Sequence, residues 1–520
     1  MSDTTITFLV LGATVGVFIW DKIPVAVVAI GVALSLWATG VLGYEQSLQG
    51  FGDPTVIFIA SLFVVSEGLD ASGVTTWAGQ ELIARAGESR TRLLVLMLLL
   101  VAFLTALISV NGSVAALVPV VVVLAVRLGR SPSQLLMPLA FGAHAGSLLA
   151  LTGTPVNVIV SNAADEAGVG EIGFFEFALV GIPLLVGTIA IIVLFGERLL
   201  PSRNPRAIPT DFSNHARTLV AQYSLSEPAD TLLTRSSGVA EVMIPPRSGL
   251  VGETVFPGMR TESGDLVVLA VQRKGEELSG ETELLVGDNL LFQGSWGAFE
   301  EHLGDPDVLV VDQPDAVRRQ AVPLGAGAKQ TIAVLIGMVI LLATGAVPPA
   351  VAGLLAAGAI VLLGVLTIDQ AYRGISWTTV ILVGGMMSLS TAMVSSGAAE
   401  QLAEALVDVV GDLGPHALLL GIVLVTFVMG QLISNMATAL IVIPIAISAA
   451  GEMDVSAKPV LMAVTVAAAA SFLTPVATPA NLMVMGPGGY RFGDYWKLGL
   501  PLLLLFGAVA VGLVPVIWSF

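Results

Sequence analysis

The sequence predicts a polytopic α-helical membrane protein built from inverted repeats with re-entrant hairpins and broken helices, carrying a small α+β cytoplasmic insert. Three observations predict it. The chain has 520 residues, 55% hydrophobic and 12% charged, with a mean hydropathy of +0.90. That is too apolar for a water-soluble protein, and several runs are long enough to cross a bilayer. A second observation is a polar stretch deep in an apolar region, Gln431-Leu432-Ile433-Ser434-Asn435-Met436-Ala437-Thr438. Its twin in the first half is Ser109-Val110-Asn111-Gly112-Ser113, with 435 − 111 = 324 residues between the two asparagines. The third is a break in composition: from Arg203 to Lys329 the chain turns polar and rich in Gly, Pro and acidic residues.

The elements follow in order. Residues 5–20 read as a first span, and Met1-Ser2-Asp3-Thr4-Thr5 lacks the basic start of a cleaved leader. Asp21-Lys22 makes a turn, and Pro24 opens a second span to about residue 42, Pro being at home in a first helical turn. A third span covers 54–69, and an amphipathic segment, 77–86, precedes a link with Arg85, Arg90 and Arg92. Residues 93–126 exceed one span and break at 109–113. Two short helices meeting at a polar tip, a re-entrant hairpin, account for this better than one long helix. A span from Pro138 is interrupted at Leu151-Thr152-Gly153-Thr154-Pro155-Val156-Asn157, where Gly and Pro free backbone groups. The last span of this half is 174–195.

The polar middle reads as an inserted domain with strands at 264–271 and 287–292, each entered through Gly-Asp, and linkers at 201–209 and 305–323. The expected division is 1–200 for the first membrane repeat, 201–328 for the linker and insert (core about 218–304), and 329–520 for the second repeat. The second half repeats the first without a gap. Pro24 matches Pro348, Gly40 matches Gly364, and Ser72-Gly73 matches Ser396-Gly397. Thr154-Pro155 matches Thr478-Pro479, and Asn157 matches Asn481. A register held through Asn157 indicates duplication.

Charge sets the expected orientation. Arg85, Arg90, Arg92, Arg127, Arg130, Arg198, Arg203 and Arg206 fall in alternate links, as do Arg373, Arg491 and Lys497. The intervening links, 165–171 and 400–412, are acidic, with Lys458 alone on the wrong side. The positive-inside rule places the basic links and the insert in the cytoplasm of a cell membrane. Five crossings and one hairpin per half invert the halves and leave both termini outside. Inverted repeats with broken helices are the architecture of secondary transporters, with their sites near the midplane.

The broken elements supply the chemistry. Helix N-termini suit an anion, while unwound carbonyls with Asn and Ser oxygens suit a hard cation such as sodium. No Lys or Arg lies within the spans to hold an anion. Asp53 and Glu67 have non-ionisable counterparts, Trp377 and Thr391, so an acid relay for protons lacks its duplicate and sodium coupling is favoured. His144, beside a broken helix, reads as a packing or polar-pocket residue, and His416 starts the second hairpin. Met483 and Met485 read as ordinary span residues. Gly486-Pro487-Gly488-Gly489-Tyr490-Arg491 lacks the GxxxxGK[ST] pattern and reads as a tight turn. There are no cysteines, which excludes disulfides and thiolate metal sites, and the net charge of −17 argues against nucleic acid. No constellation for catalysis is present, so an enzyme is not expected.

Ser434-Asn435-Met436-Ala437-Thr438 followed by Pro444 resembles the second Ser-Asn-Thr signature of the divalent anion:sodium symporter family, the SLC13-type permeases. Residues 151–157 and 471–481 resemble that family's duplicated Gly-Thr-Pro segments, and 486–494 its GPGGYRF-x-D turn. The insert, 241–303, is similar to the C-terminal ligand-binding module of potassium-transport regulators (RCK-C, or TrkA-C). The resemblance implies a homodimer working by an elevator mechanism, with the insert binding a small regulator such as a nucleotide. It implies sodium sites formed by Ser109, Asn111 and Gly153 and by Asn435 and Ala477. It implies substrate contacts from Asn111, Gly112, Ser113, Thr154, Asn157, Ser434, Asn435, Met436, Thr438, Thr478 and Asn481. Val110-Asn111-Gly112-Ser113 stands where Ser-Asn-Thr is expected, and Met436 where Thr is expected. This moves the expected anion from dicarboxylate to sulfate. A sensor that reads a ligand through the insert is the alternative of another class.

Overall fold

The computed structural model describes residues 1–20, 22–86, 89–127, 130–203, 215–223, 232–234, 237–261, 263–278, 280–304, 306–312, 314, 317, 327–410 and 413–520. Most of the expected linkers at 201–209 and 305–323 lie outside these residues. The chain falls into two compact units. One comprises Met1–Gly68, Ala78–Pro209 and Gln330–Phe520; the other comprises Leu69–Trp77 and Thr210–Lys329.

Among the described residues, eight helices are long and apolar enough to cross a membrane. The duplication is visible helix by helix at the 324-residue separation. Val25–Ala38 corresponds end to end with Pro349–Leu362, and Val74–Ala86 with Ala398–Val410. Gly40 and Gly364 turn the chain at φ 78° and 69°, a left-handed conformation that glycine adopts without a Cβ penalty. The stretch 400–412, expected as an acidic link, is largely the helix Ala398–Val410. Its apolar residues recur at helical spacing along one face, a periodicity that composition alone hides.

Each repeat contains a hairpin and a broken helix. The first hairpin is Arg90–Leu107 with Val110–Arg127, and the second is Pro415–Leu432 with Asn435–Glu452. The broken helices are Ser133–Gly146 followed by Pro155–Glu166, and Ala457–Ala468 followed by Pro479–Gly488. Ser133–Gly146 and Ala457–Ala468 are buried almost throughout and form the centre of the unit. Phe141 of the first packs edge-on to Phe472, ring centroids 5.0 Å apart, and Phe472 on Phe506 at 4.9 Å. The last helix of each repeat touches the unwound backbone through a glycine. A Cβ on Gly181 would lie 2.1 Å from the Leu148 carbonyl oxygen, and one on Gly499 2.3 Å from that of Phe472.

Two differences from the sequence reading have physical causes. The span expected to start at Pro138 starts at Ser133 and holds Pro138 inside. A proline opens the preceding turn, and the Tyr490 hydroxyl fills the opening. It accepts from Met137 N at 2.8 Å and donates to the Ser133 carbonyl, replacing the helical bond between those two groups. Tyr490→Phe leaves both backbone groups unpaired at a buried position. We expect it to lower stability by about 1–3 kcal/mol, read as an earlier thermal unfolding of the purified protein; unchanged melting would show the hydroxyl is dispensable. The second difference concerns Lys458. Its ammonium lies 2.8 Å from Glu176, which also accepts from the Trp518 indole at 2.6 Å and the Gly173 N–H at 2.8 Å. The cation on the acidic side is therefore neutralised locally.

The insert unit contains a five-stranded antiparallel sheet in the order β4-β3-β6-β1-β7. The strands are β1 (Ser237–Met243), β3 (Leu266–Arg273), β4 (Glu276–Leu278), β6 (Asn289–Ser295) and β7 (Leu309–Val310); β2 (Thr254–Val255) pairs β5 (Thr282–Glu283) separately. Gly264 and Gly287 turn at φ 79° and 88° just before β3 and β6, the two expected strands. Val242, Ile244, Val268, Val271, Leu290 and Phe299 form one apolar core on the sheet. Arg273 forks onto Asp288 at 2.8 and 2.7 Å, and Asp288 also accepts from Leu285 N. Burial opposes ionisation of Asp288, but the guanidinium and that N–H outweigh it and hold its pKa below the usual carboxylate range.

Candidate functional site

In the membrane unit the four broken elements meet on one cavity of about 90 Å³. Each contributes three consecutive residues: Ser109-Val110-Asn111, Gly153-Thr154-Pro155, Ser434-Asn435-Met436 and Ala477-Thr478-Pro479. Phe63, Thr379 and His144 complete the lining. None of the lining residues is Lys, Arg, Asp or Glu.

Every one of the four segments is the start of a helix, and hydroxyls cap them. Thr154 Oγ1 accepts from Val156 N at 3.4 Å, and Thr478 Oγ1 from Asn481 N at 3.3 Å. Ser434 Oγ accepts from Ala437 N at 3.3 Å, and Ser109 Oγ from Gly112 N at 3.2 Å. Side chains of this type stop a helix by taking one of its orphan N–H groups. Prolines 155 and 479 then stand at the first helical position, where no N–H is needed. Four positive dipole ends therefore point at one small space.

The sequence-expected residues divide into two sets. Ser109, Asn111, Gly153, Thr154, Ser434, Asn435, Met436, Ala477 and Thr478 line the cavity. Gly112, Ser113, Asn157, Thr438 and Asn481 do not; they stand behind it. Ser113 and Thr438 are fully buried, with hydroxyls that have no hydrogen-bond partner. Gly112 is packed tightly, a Cβ there meeting Ile108 Cγ2 at 3.0 Å.

Asn157 and Asn481, both fully buried, brace the unwound segments. The Asn157 amide donates to the carbonyls of Ser147 at 2.8 Å and Ala150 at 2.9 Å. Asn481 donates to the equivalent carbonyls, Ser471 at 2.7 Å and Thr474 at 3.1 Å. An unwound helix frees carbonyls that lipid cannot satisfy, and the amides satisfy them.

Sequence reasoning missed the residues that tie hairpin to broken helix. Gln431 donates to the Ala470 carbonyl at 3.0 Å and accepts from Leu473 N at 2.9 Å, and Ser471 Oγ donates to Asn435 Oδ1. In the first repeat Thr152 Oγ1 donates to the Ala106 carbonyl at 2.7 Å. The only signal for Gln431 is an amide in an apolar run, since its counterpart is Leu107. His144 is fully enclosed, its Nε2 3.3 Å from Asn481 Oδ1 and 3.2 Å from Thr478 Oγ1. It is a polar-pocket residue that joins the first repeat to the second.

A tight anchor holds the basic-side ends of the same helices. Arg203 forks onto Asp494 at 2.5 and 3.2 Å and donates to the Gly489 carbonyl at 3.3 Å. Ser133 Oγ donates to the Pro201 carbonyl at 2.7 Å and accepts from Arg203 N at 2.9 Å. The 486–494 stretch is thus a turn held by a side-chain network, as its sequence suggests.

A family model described as CitMHS, citrate transporter, matches residues 15–467 and 338–520. The chain is 30% identical to the uncharacterized transporter YfbS of Escherichia coli (strain K12), over 98% of each chain. It is 27% identical to the probable sodium/sulfate cotransporter 3 of Chlamydomonas reinhardtii, over 56% of this chain and 33% of that one. It is 28% identical to the sodium-dependent dicarboxylate transporter SdcS of Staphylococcus saprophyticus, over 28% of this chain and 27% of that one.

Proposed function

Because this chain belongs to the citrate transporter (CitMHS) family of membrane carriers, we propose that it is a sodium-coupled symporter of a small divalent anion, sulfate foremost. The observation that carries this reading is the meeting of four helix N-termini on one cavity without a basic side chain. Each N-terminus favours a negative charge by roughly 0.3–2 kcal/mol. Taking one unpaired ion out of water costs on the order of 20 kcal/mol in the idealised limit. Dipoles alone cannot hold a dianion, so cations must enter with it. The oxygen donors at hand are hydroxyls, amides and backbone carbonyls, which suit sodium. In this proposal one sodium binds by Ser109, Asn111 and Gly153 and the other by Asn435 and Ala477. The anion then contacts Asn111, Thr154, Ser434, Asn435, Met436 and Thr478, while Gly112, Ser113, Asn157, Thr438 and Asn481 shape the segments behind.

The small cavity supports a compact anion over a bulky one, since pockets for larger ligands run to about 300 Å³ and more. A dicarboxylate is the second reading, favoured by the similarity to a carrier named for that substrate. The charge bias of the links, with Lys458 neutralised by Glu176, supports a cytoplasmic insert and external termini. An elevator motion, a homodimer, and an RCK-C-like insert answering to a small ligand such as a nucleotide belong to the same proposal, and rest on the resemblance of the motifs.

The test is uptake of labelled sulfate, succinate and citrate into proteoliposomes with and without an inward sodium gradient. Sodium-dependent sulfate uptake is the expected result. Succinate or citrate uptake in its place would overturn the substrate and keep the coupling. Uptake indifferent to sodium would overturn the coupling.

A further inference from the structure

The two half-sites are duplicates at every capping position, but they differ at one residue behind the cavity. His144 has Ala468 as its counterpart, 324 residues on. The consequence can be followed hydrogen by hydrogen. Asn481 Nδ2 faces two carbonyls, of Ser471 and Thr474, so it must be the amide nitrogen and Oδ1 must face the other way. Oδ1 can only accept. His144 Nε2, 3.3 Å from it, must therefore carry a hydrogen. A protonated Nε2 has no lone pair, so its 3.2 Å contact with Thr478 Oγ1 is also one in which the hydroxyl oxygen accepts.

Thr478 Oγ1 already accepts from Asn481 N at 3.3 Å. With both lone pairs engaged, its own hydrogen is left to point elsewhere, and Thr478 lines the cavity. The first repeat lacks this chain. Thr154 Oγ1 accepts from Val156 N alone among the described bonds, and the buried Asn157 Oδ1 has no partner.

We propose that His144 is a positioning residue: it fixes the Thr478 hydroxyl as a hydrogen-bond donor into the cavity, making the second half-site the one that grips an acceptor-only oxyanion. The inference rests on the anion-symport reading for its consequence, but not for its geometry. A ligand with no hydrogen to donate, such as sulfate or a fully ionised carboxylate, fits this polarity. A ligand that must donate at that point is refused, because a buried donor facing a donor leaves both unpaired.

Two measurements on the full-length protein test it separately from the transport reading. The chain has four histidines, so selective 15N-histidine labelling gives a small set of solid-state NMR signals, with His144→Asn identifying the one concerned. A neutral ring protonated at Nε2 is expected. A ring protonated at Nδ1 alone, or at both nitrogens, overturns the proposal whatever the transport assay gives. The second measurement is sodium-dependent sulfate uptake by His144→Ala, His144→Gln, Thr478→Val and the double variant His144→Ala/Thr478→Val.

We expect His144→Ala and Thr478→Val each to raise KM by roughly 10- to 100-fold, the worth of one hydrogen bond to a charged group, with kcat little changed. His144→Gln, which keeps a donor, should recover much of the loss. The double variant should be no worse than Thr478→Val alone, since both changes remove one interaction. Additive losses, or a Gln variant as poor as Ala, would sink the idea. If the wild type carries succinate instead of sulfate, the same cycle is read with succinate. If it carries neither, the symport reading falls and the NMR result alone decides the tautomer on which the proposal stands.

Discussion

Asn481→Ala is expected to cost the protein both its stability and its transport. The Asn481 amide satisfies the carbonyls of Ser471 and Thr474, and its oxygen receives His144. Alanine leaves two buried carbonyls and one ring N–H without partners. At about 1–3 kcal/mol for each unsatisfied group, the two carbonyls alone cost roughly 2–6 kcal/mol, a large share of a typical folding free energy of about 5–15 kcal/mol. Asn157→Ala removes the equivalent bonds to Ser147 and Ala150 but abandons no histidine, since Asn157 Oδ1 has no partner. It should be damaging, and less so. Thermal unfolding of the purified variants, beside sodium-dependent uptake, checks both. An Asn481→Ala protein that melts with the wild type would show that the unwound segment is held by something other than this amide.

The opposite pattern is expected for the hairpin tips. Asn111→Ala and Asn435→Ala should abolish sodium-dependent uptake, by 100-fold or more on the order of two lost charge-assisted bonds. Stability should stay within about 0.5 kcal/mol, as for a surface change. Asn111 is exposed and Asn435 half-buried, and both line the cavity. Neither braces an unwound carbonyl. The discriminating readout is the pair of measurements together: loss of uptake with unchanged melting. Melting that falls as far as in Asn481→Ala would move these asparagines from ion ligands to structural braces.

Much of this was legible before any coordinates. Polar residues in the middle of apolar runs mark backbone that must face a cavity, and Gly153-Thr154-Pro155 with its copy marks where two helices stop. The constant separation is legible because the sequence repeats without a gap through Asn157. Beyond Asn157 the register slips. The equivalent glycines Gly181 and Gly499 are separated by 499 − 181 = 318 residues, so the backbone contacts they allow do not announce themselves as a repeat. The braces were legible as residues and illegible as roles. Asn157 and Asn481 read as ligands because an asparagine in a membrane suits either task, and only the direction of its amide separates them. Tyr490 reads as part of a turn. That its hydroxyl enters a helix more than 350 residues earlier in the chain is a fact of packing.

The Tyr490 insertion also bears on how the chain is made. Ser133 and Met137 leave the ribosome before their partner exists, 353 residues ahead in the case of Met137. At synthesis rates of about 5–20 residues per second, the open helical rung waits roughly 20–70 s for the tyrosine that closes it. The Phe141–Phe472 contact and the His144–Asn481 bond wait almost as long. The first repeat therefore enters the membrane as an unfinished half, and nothing made before the second repeat can complete it. A chain stopped within the insert would leave a proline-opened helix with its polar groups bare to lipid, a lesion that membrane quality control can recognise.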